Sequence, residues 1–190
     1  MLNVKELVKS AVRCGSLVLV CSQSVPVFAN GFELEAGLLK AKRQYDIAGT
    51  SDGQRSLSNS ELMAAARYFI TPNWGLGISQ VNYGSTNDSD CSRNKLGGQI
   101  YSVNYVKPFD NVSLAAQLGL LNWKNTNSQC DVSGTYQQTG TDLHFQLSVR
   151  YNLNTATSIQ LGVFRTNLNE MPSLANDHVS GGVLSVVYAF

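Results

Sequence analysis

The stretch Leu143-His144-Phe145-Gln146-Leu147-Ser148-Val149-Arg150-Tyr151-Asn152 decides the fold. Every odd position is large and apolar, and every even position is polar. An α-helix would scatter these two sets around its circumference. A β-strand turns successive side chains to opposite faces, so this stretch reads as a strand with one apolar side and one polar side.

The same period recurs seven more times. Residues 32–40 set Phe32, Leu34, Ala36 and Leu38 against Glu33, Glu35, Gly37 and Leu39. Residues 61–70, 99–107, 112–121 and 157–166 repeat the alternation, and Leu184, Val186, Tyr188 and Phe190 share one face of the last segment. Residues 74–83 begin the same way with Trp74, Leu76 and Ile78, but Val81 and Tyr83 then fall on the other face. A bulge near Ser79-Gln80 is expected to restore the parity there.

The connections alternate in length. Short ones are Thr71-Pro72-Asn73, Pro108-Phe109-Asp110-Asn111 and Asn154-Thr155-Ala156. Long polar ones cover roughly 41–58, 84–97, 124–140 and 167–179. Eight strands joined short, long, short, long predict an all-β fold, an eight-stranded antiparallel up-and-down transmembrane β-barrel with short periplasmic turns and long outer loops.

Composition excludes other classes. The chain has 190 residues, 43% hydrophobic and 14% charged, against about 25% charged in an ordinary globular domain. Branched and aromatic residues are too frequent for a disordered chain. No run of about 18 apolar residues exists to form a membrane helix. With 14 basic and 13 acidic side chains, charge gives no sign of a nucleic-acid partner.

Residues 1–29 read as a signal peptide, leaving 30–190 as the barrel domain. Lys5, Lys9 and Arg13 precede the apolar run Gly15–Val20, and Val27-Phe28-Ala29 fits a cleavage site. Cleavage removes three basic residues and one acidic residue, leaving eleven against twelve. It also removes Cys14 and Cys21, so Cys91 and Cys130 remain as a pair in an exported chain. They fall on long connections expected to emerge side by side, and a disulfide is expected.

Alternation alone does not say which face is inside. Gln117, Asn104, Gln146, His144 and Ser148 on the polar face, with scattered charges, suit a wet interior. Phe32, Tyr68, Trp74, Tyr105, Tyr151, Tyr188 and Phe190 gather near strand ends, as a periplasmic aromatic ring would. Glu33, Glu35, Arg67 and Arg150 are then expected together in the periplasmic half of the lumen, as a charge cluster that plugs or gates it.

With its signal segment, eight alternating strands and terminal Val186-Val187-Tyr188-Ala189-Phe190, the chain resembles the small outer-membrane β-barrel family of the OmpA transmembrane domain and OmpX. The resemblance implies a place in a Gram-negative outer membrane, among lipid and lipopolysaccharide. It implies that Tyr188 and Phe190 form a signal for the outer-membrane assembly machinery. It also implies surface loops that act in adhesion or in contact with a host or surface ligand.

A non-enzymatic, monomeric barrel without cofactor is therefore expected. The alternatives are a narrow solute pore and a lipid A-modifying enzyme. The enzyme reading rests on His178-Val179-Ser180, which puts a His and a Ser on one strand face without a carboxylate after them. His144 and His178 are isolated and form no metal-ligand cluster.

Overall fold

The computed structural model describes residues 31–46, 53–56, 60–89, 92–129, 135–168 and 175–190. The signal segment 1–29 and both Cys91 and Cys130 lie outside the described residues, and so does the disulfide expected between them.

Nine strands follow in chain order, with no helix among the described residues. They are β1 (Phe32–Asp46), β2 (Gly53–Ser56), β3 (Glu61–Phe69), β4 (Trp74–Ser89), β5 (Ser92–Phe109), β6 (Val112–Gln129), β7 (Thr135–Asn152), β8 (Thr157–Asn167) and β9 (Ala175–Ala189). Every pairing is antiparallel; from β3 to β9 each strand lies beside the next in sequence, and β9 pairs with β1 to close the sheet. Both β2 and β3 pair with β1, at Lys42–Tyr45 and Phe32–Leu39 respectively, so together they fill one strand position. The result is a closed eight-stranded barrel.

The register sets the barrel's slant. A path at right angles to the strands runs from Phe32 through Tyr68, Leu76, Val103, Leu118 and Phe145 to Arg165 and Ser180. It returns to β1 at Lys42, ten residues beyond its start at Phe32. Closing eight strands with that offset requires a tilt of roughly 40°.

The apolar side chains face outward. Leu118, Leu147, Val149 and Val186 are about half exposed, whereas Gln117, Gln146 and Arg150 are buried. In water such a surface would be a large exposed apolar patch. In a bilayer it is the lipid-facing belt of a membrane barrel. The aromatics bound this belt at the short-turn end. Trp74 and Tyr105 pack at 4.7 Å between ring centroids, Phe32 and Phe190 at 5.8 Å, and Tyr188 and Phe190 at 4.8 Å.

Short turns are built from local side chains. Thr71 Oγ1 accepts from the backbone N–H of Trp74 at 3.0 Å, and Asn154 Oδ1 from that of Thr157 at 2.8 Å. Such short polar side chains stand in for a backbone turn partner. The turn expected over Pro108–Asn111 shrinks to Asp110-Asn111, because the ladder runs on to Phe109↔Val112. Asp110 takes φ 45°, a left-handed conformation that Asp tolerates.

Two sequence expectations are corrected. No bulge lies at Ser79-Gln80, where β3 and β4 pair without a shift. Val81 and Tyr83 keep strand parity and point inward, and the β4–β5 register shifts later, between Asn82 and Gly84. Gly84 there has φ 95°, which a glycine adopts without a Cβ clash. The long connections over 84–97 and 124–140 are also largely strand. Their ladders continue to Ser89↔Ser92 and Ser128↔Thr135. Outside the bilayer a strand needs no apolar face, so alternation disappears while the backbone pairing persists.

Candidate functional site

The interior divides into two layers. Near the short turns, Glu33 and Glu35 of β1 face Arg67 of β3 and Arg150 of β7 across the lumen. Arg67 forms an ion pair with Glu35, whose side chain has no solvent exposure. Arg150 Nη1 donates to both oxygens of Glu33, at 2.9 and 3.0 Å. Arg67 Nη1 lies 3.7 Å from Glu33 Oε2, so Glu33 stands between the two guanidinium groups.

Neutral side chains complete the network. Arg150 Nε donates to Gln160 Oε1 at 2.7 Å, and Gln160 Nε2 donates to Glu35 Oε1 at 2.9 Å. The Ser185 hydroxyl also donates to Glu35. Arg67 Nε donates to Asn104 Oδ1 at 3.1 Å, while Asn104 and Gln117 both donate to Ser102 Oγ. A buried charge is tolerated when it is paired and its remaining donors are occupied, and this network meets most of that requirement. Gly77 makes room for it: a Cβ there would stand 2.8 Å from Asn104 Nδ2 and 3.1 Å from Arg67 Cγ.

The outer half of the lumen departs from the expectation of a wet polar interior. It is filled by an apolar cluster that includes Leu39, Met63, Val81, Leu96, Ile100, Leu121, Trp123 and Val183. Tyr83 stacks on Phe164 at 5.6 Å. β6 shows the change along one strand: inward positions run Ser113, Ala115 and Gln117 near the turn, then Leu121 and Trp123. Polar inward residues suffice only where partners cross the lumen. Elsewhere close packing of apolar side chains fills the space.

Three polar links border the apolar layer. His144 Nδ1 and Tyr83 Oη both meet Thr166 Oγ1, at 2.8 and 3.3 Å. Trp123 Nε1 donates to Asp142 Oδ2 at 2.7 Å. Arg43 Nε reaches Asp177 Oδ1 at 3.0 Å, within an ion pair across the β1–β9 seam near the outer end. The sequence reading does not pair Arg43 with Asp177, because it places them in the connections 41–58 and 167–179. Carrying the parity of Glu33 and Glu35 four steps further along β1 reaches Arg43.

Among the described residues, the open space beside the polar network is small. A cavity of about 10 Å³, lined by residues such as Arg67, Gln117, Gln146 and Arg150, lies beside the polar network. That is room for about one water molecule.

The remaining sequence candidates fall elsewhere. His178 and Ser180 share the outward face of β9, while Asp177 between strand neighbours points inward to Arg43. Tyr188 and Phe190 lie at the turn end of the β1–β9 seam, where the Phe190 backbone N–H donates to Phe32 O at 2.9 Å. Among the described residues no group of three His, Cys, Asp or Glu could hold a metal ion.

Known structures share this architecture. Ail, the attachment invasion locus protein of Yersinia pestis, in complex with the heparin analogue sucrose octasulfate, is similar at TM-score 0.63 and 15% identity, covering 86% of this chain and all of that one. Neisserial surface protein A is similar at TM-score 0.66 and 13% identity, with 86% and 98% covered. The outer membrane protein OprG from Pseudomonas aeruginosa follows at TM-score 0.57 and 16% identity, with 85% and 96% covered. No protein-family model matches the chain, and no curated protein matches it. At these identities the likeness concerns the fold, which is that of the small eight-stranded outer-membrane barrels.

Proposed function

We propose that the protein is a non-enzymatic barrel of the Gram-negative outer membrane whose activity lies at its outer end and not in its lumen. The observation that carries this reading is the filled interior. An ion-paired layer and an apolar layer lie in series, and a solute would have to displace both. The outer connections are then left as the working surface, for adhesion or another contact with host or environment. The structure of Ail with a heparin analogue supports that choice, since it shows a barrel of this fold holding a polyanionic sugar. Export by the signal segment, insertion by the assembly machinery and a monomeric state belong to the same reading.

The enzyme alternative gains no support from the interior face, where Asp177 is engaged by Arg43. Purified protein in planar bilayers tests the pore alternative. The expected result is no stepwise conductance, with brief leaks at most. Steady ohmic steps from folded protein would overturn the sealed-lumen reading. Lipid A recovered after incubation with the folded protein is expected to be unchanged in mass, and loss or transfer of an acyl chain would overturn the non-enzymatic reading.

A further inference from the structure

The seam between β1 and β9 joins the first and last of the described strands. No turn links them directly, so no turn fixes how they align. Hydrophobic alternation fixes their register only in part. A slip of one residue would turn the apolar belt inward, but a slip of two keeps every side chain on its own face. That slip would still be a large change. It would move the closing offset of the path around the barrel from ten residues to eight or twelve, and with it the tilt and width of the barrel. The lipid-facing surface is nearly indifferent to that choice, so the selection falls to the inward positions along the seam.

Two inward pairs there are unusually close. Gly37 of β1 lies opposite Ser185, and Gly181 of β9 lies opposite Ala41. A Cβ added at Gly37 would stand 2.5 Å from Ser185 Cβ and 2.9 Å from its Cα. One added at Gly181 would run into the Lys40 carbonyl and stand 2.9 Å from Ala41 Cα and from Phe164 Cε1. Such distances lie well inside the optimal separation of two carbon atoms. Neither glycine has a left-handed φ, so close approach of the strands, and not backbone conformation, calls for them. Gly182, on the outward face, shows the contrast: a Cβ there would meet nothing closer than Gly162 O at 3.7 Å.

We infer that Gly37 and Gly181 form a reciprocal steric lock, one notch on each strand, that selects the register in which the barrel closes. A slip of two residues fails at both notches in either direction. It would set Val179 or Val183 opposite Ala41, where a glycine is required. It would set Glu35 or Leu39 opposite Ser185, where a glycine is required again. Overlap at such points is costly because a packed interior yields little. The Arg43–Asp177 ion pair does not make this choice by itself. One of the two slips would put Asp177 directly opposite Arg43, where the pair survives. The selected register also assembles the ion-paired layer, since it brings Glu35 of β1 to Ser185 of β9 and Gln160 of β8.

The test reads the register by cross-linking. The full chain, carrying Cys91→Ser and Cys130→Ser, is refolded into phosphatidylcholine vesicles, with closure read separately by heat-modified gel mobility. Leu38→Cys is combined in turn with Leu184→Cys, Gly182→Cys or Val186→Cys. Leu184 lies opposite Leu38 in the native register, whereas Gly182 and Val186 would lie opposite it in the two slips. Directly opposed residues stand about 5 Å apart at Cα, within reach of a disulfide. Oxidation is expected to join position 38 to 184 and to leave the other two pairs unjoined. Gly37→Ala and Gly181→Ala are each expected to lower the ratio of native to slipped cross-link about tenfold, the factor for a modest overpacking cost. Adding Ser185→Gly to Gly37→Ala removes the nearest obstructing atom. It is expected to restore part of the native cross-link, which separates crowding from general damage if the alanine variant closes poorly. Gly182→Ala is expected to join 38 to 184 as the unaltered strand does. Undiminished native cross-linking in closed Gly37→Ala and Gly181→Ala barrels would overturn the lock. So would an equal loss in Gly182→Ala, or no recovery on adding Ser185→Gly.

Discussion

Glu35 is the residue on which the lower lumen converges. It accepts from Arg67, Gln160 and Ser185, three donors from three strands, and its side chain is wholly shielded from solvent. Removing Arg67 leaves this carboxylate without its charge partner. Arg67→Ala is therefore expected to lower unfolding stability by about 3 kcal/mol in urea titrations of the lipid-folded barrel. The double variant Glu35→Ala with Arg67→Ala is expected to recover part of that loss, because no charge is then stranded. Equal losses in single and double variants would show that the pair is not coupled. Thr166 has a parallel role higher up, since its hydroxyl meets both His144 and Tyr83. Thr166→Val keeps the shape and strands two polar groups, with an expected loss of about 2 kcal/mol by the same measurement.

At the level of single strands, legibility in the sequence followed the chemistry of the inward face. β7 was readable over Leu143–Asn152 because its inward residues are all polar, so contrast and parity coincided. β4 was misread because Val81 and Tyr83 are apolar and yet inward: parity held, and only the contrast was lost. The ends of β4, β5, β6 and β7 were read as loops because Ser, Thr, Asn and Gln there carry no alternation, although the backbone ladder continues. The charged cluster at Glu33, Glu35, Arg67 and Arg150 was visible because full charges on a strand's polar face are few. Its neutral members, such as Gln160 and Ser185, had no such mark. The apolar layer carries its own expectation. Leu121 is fully buried in it, and Leu121→Ala is expected to cost about 3 kcal/mol through the cavity left behind. The same variant is expected to remain non-conducting, because the ion-paired layer below stays closed. Steady channels from this single variant would show that the apolar layer alone seals the barrel.

For the whole molecule, the decisive property is the apolar belt that it turns outward. Eight strand positions, a seam that closes the sheet and an outward apolar belt all follow if lipid lies outside and a filled core inside. The sealed lumen and the outward role of the loops both depend on that orientation. The stretch that revealed the fold also tests it most directly. Nitroxide labels placed singly from Leu143 to Asn152, in the barrel reconstituted in bilayers, report collision with oxygen dissolved in the lipid. Labels at 143, 145, 147, 149 and 151 are expected to show high oxygen accessibility, and those at 144, 146, 148 and 150 low accessibility, with a period of two. High oxygen accessibility at the even positions, or no period at all, would contradict the account.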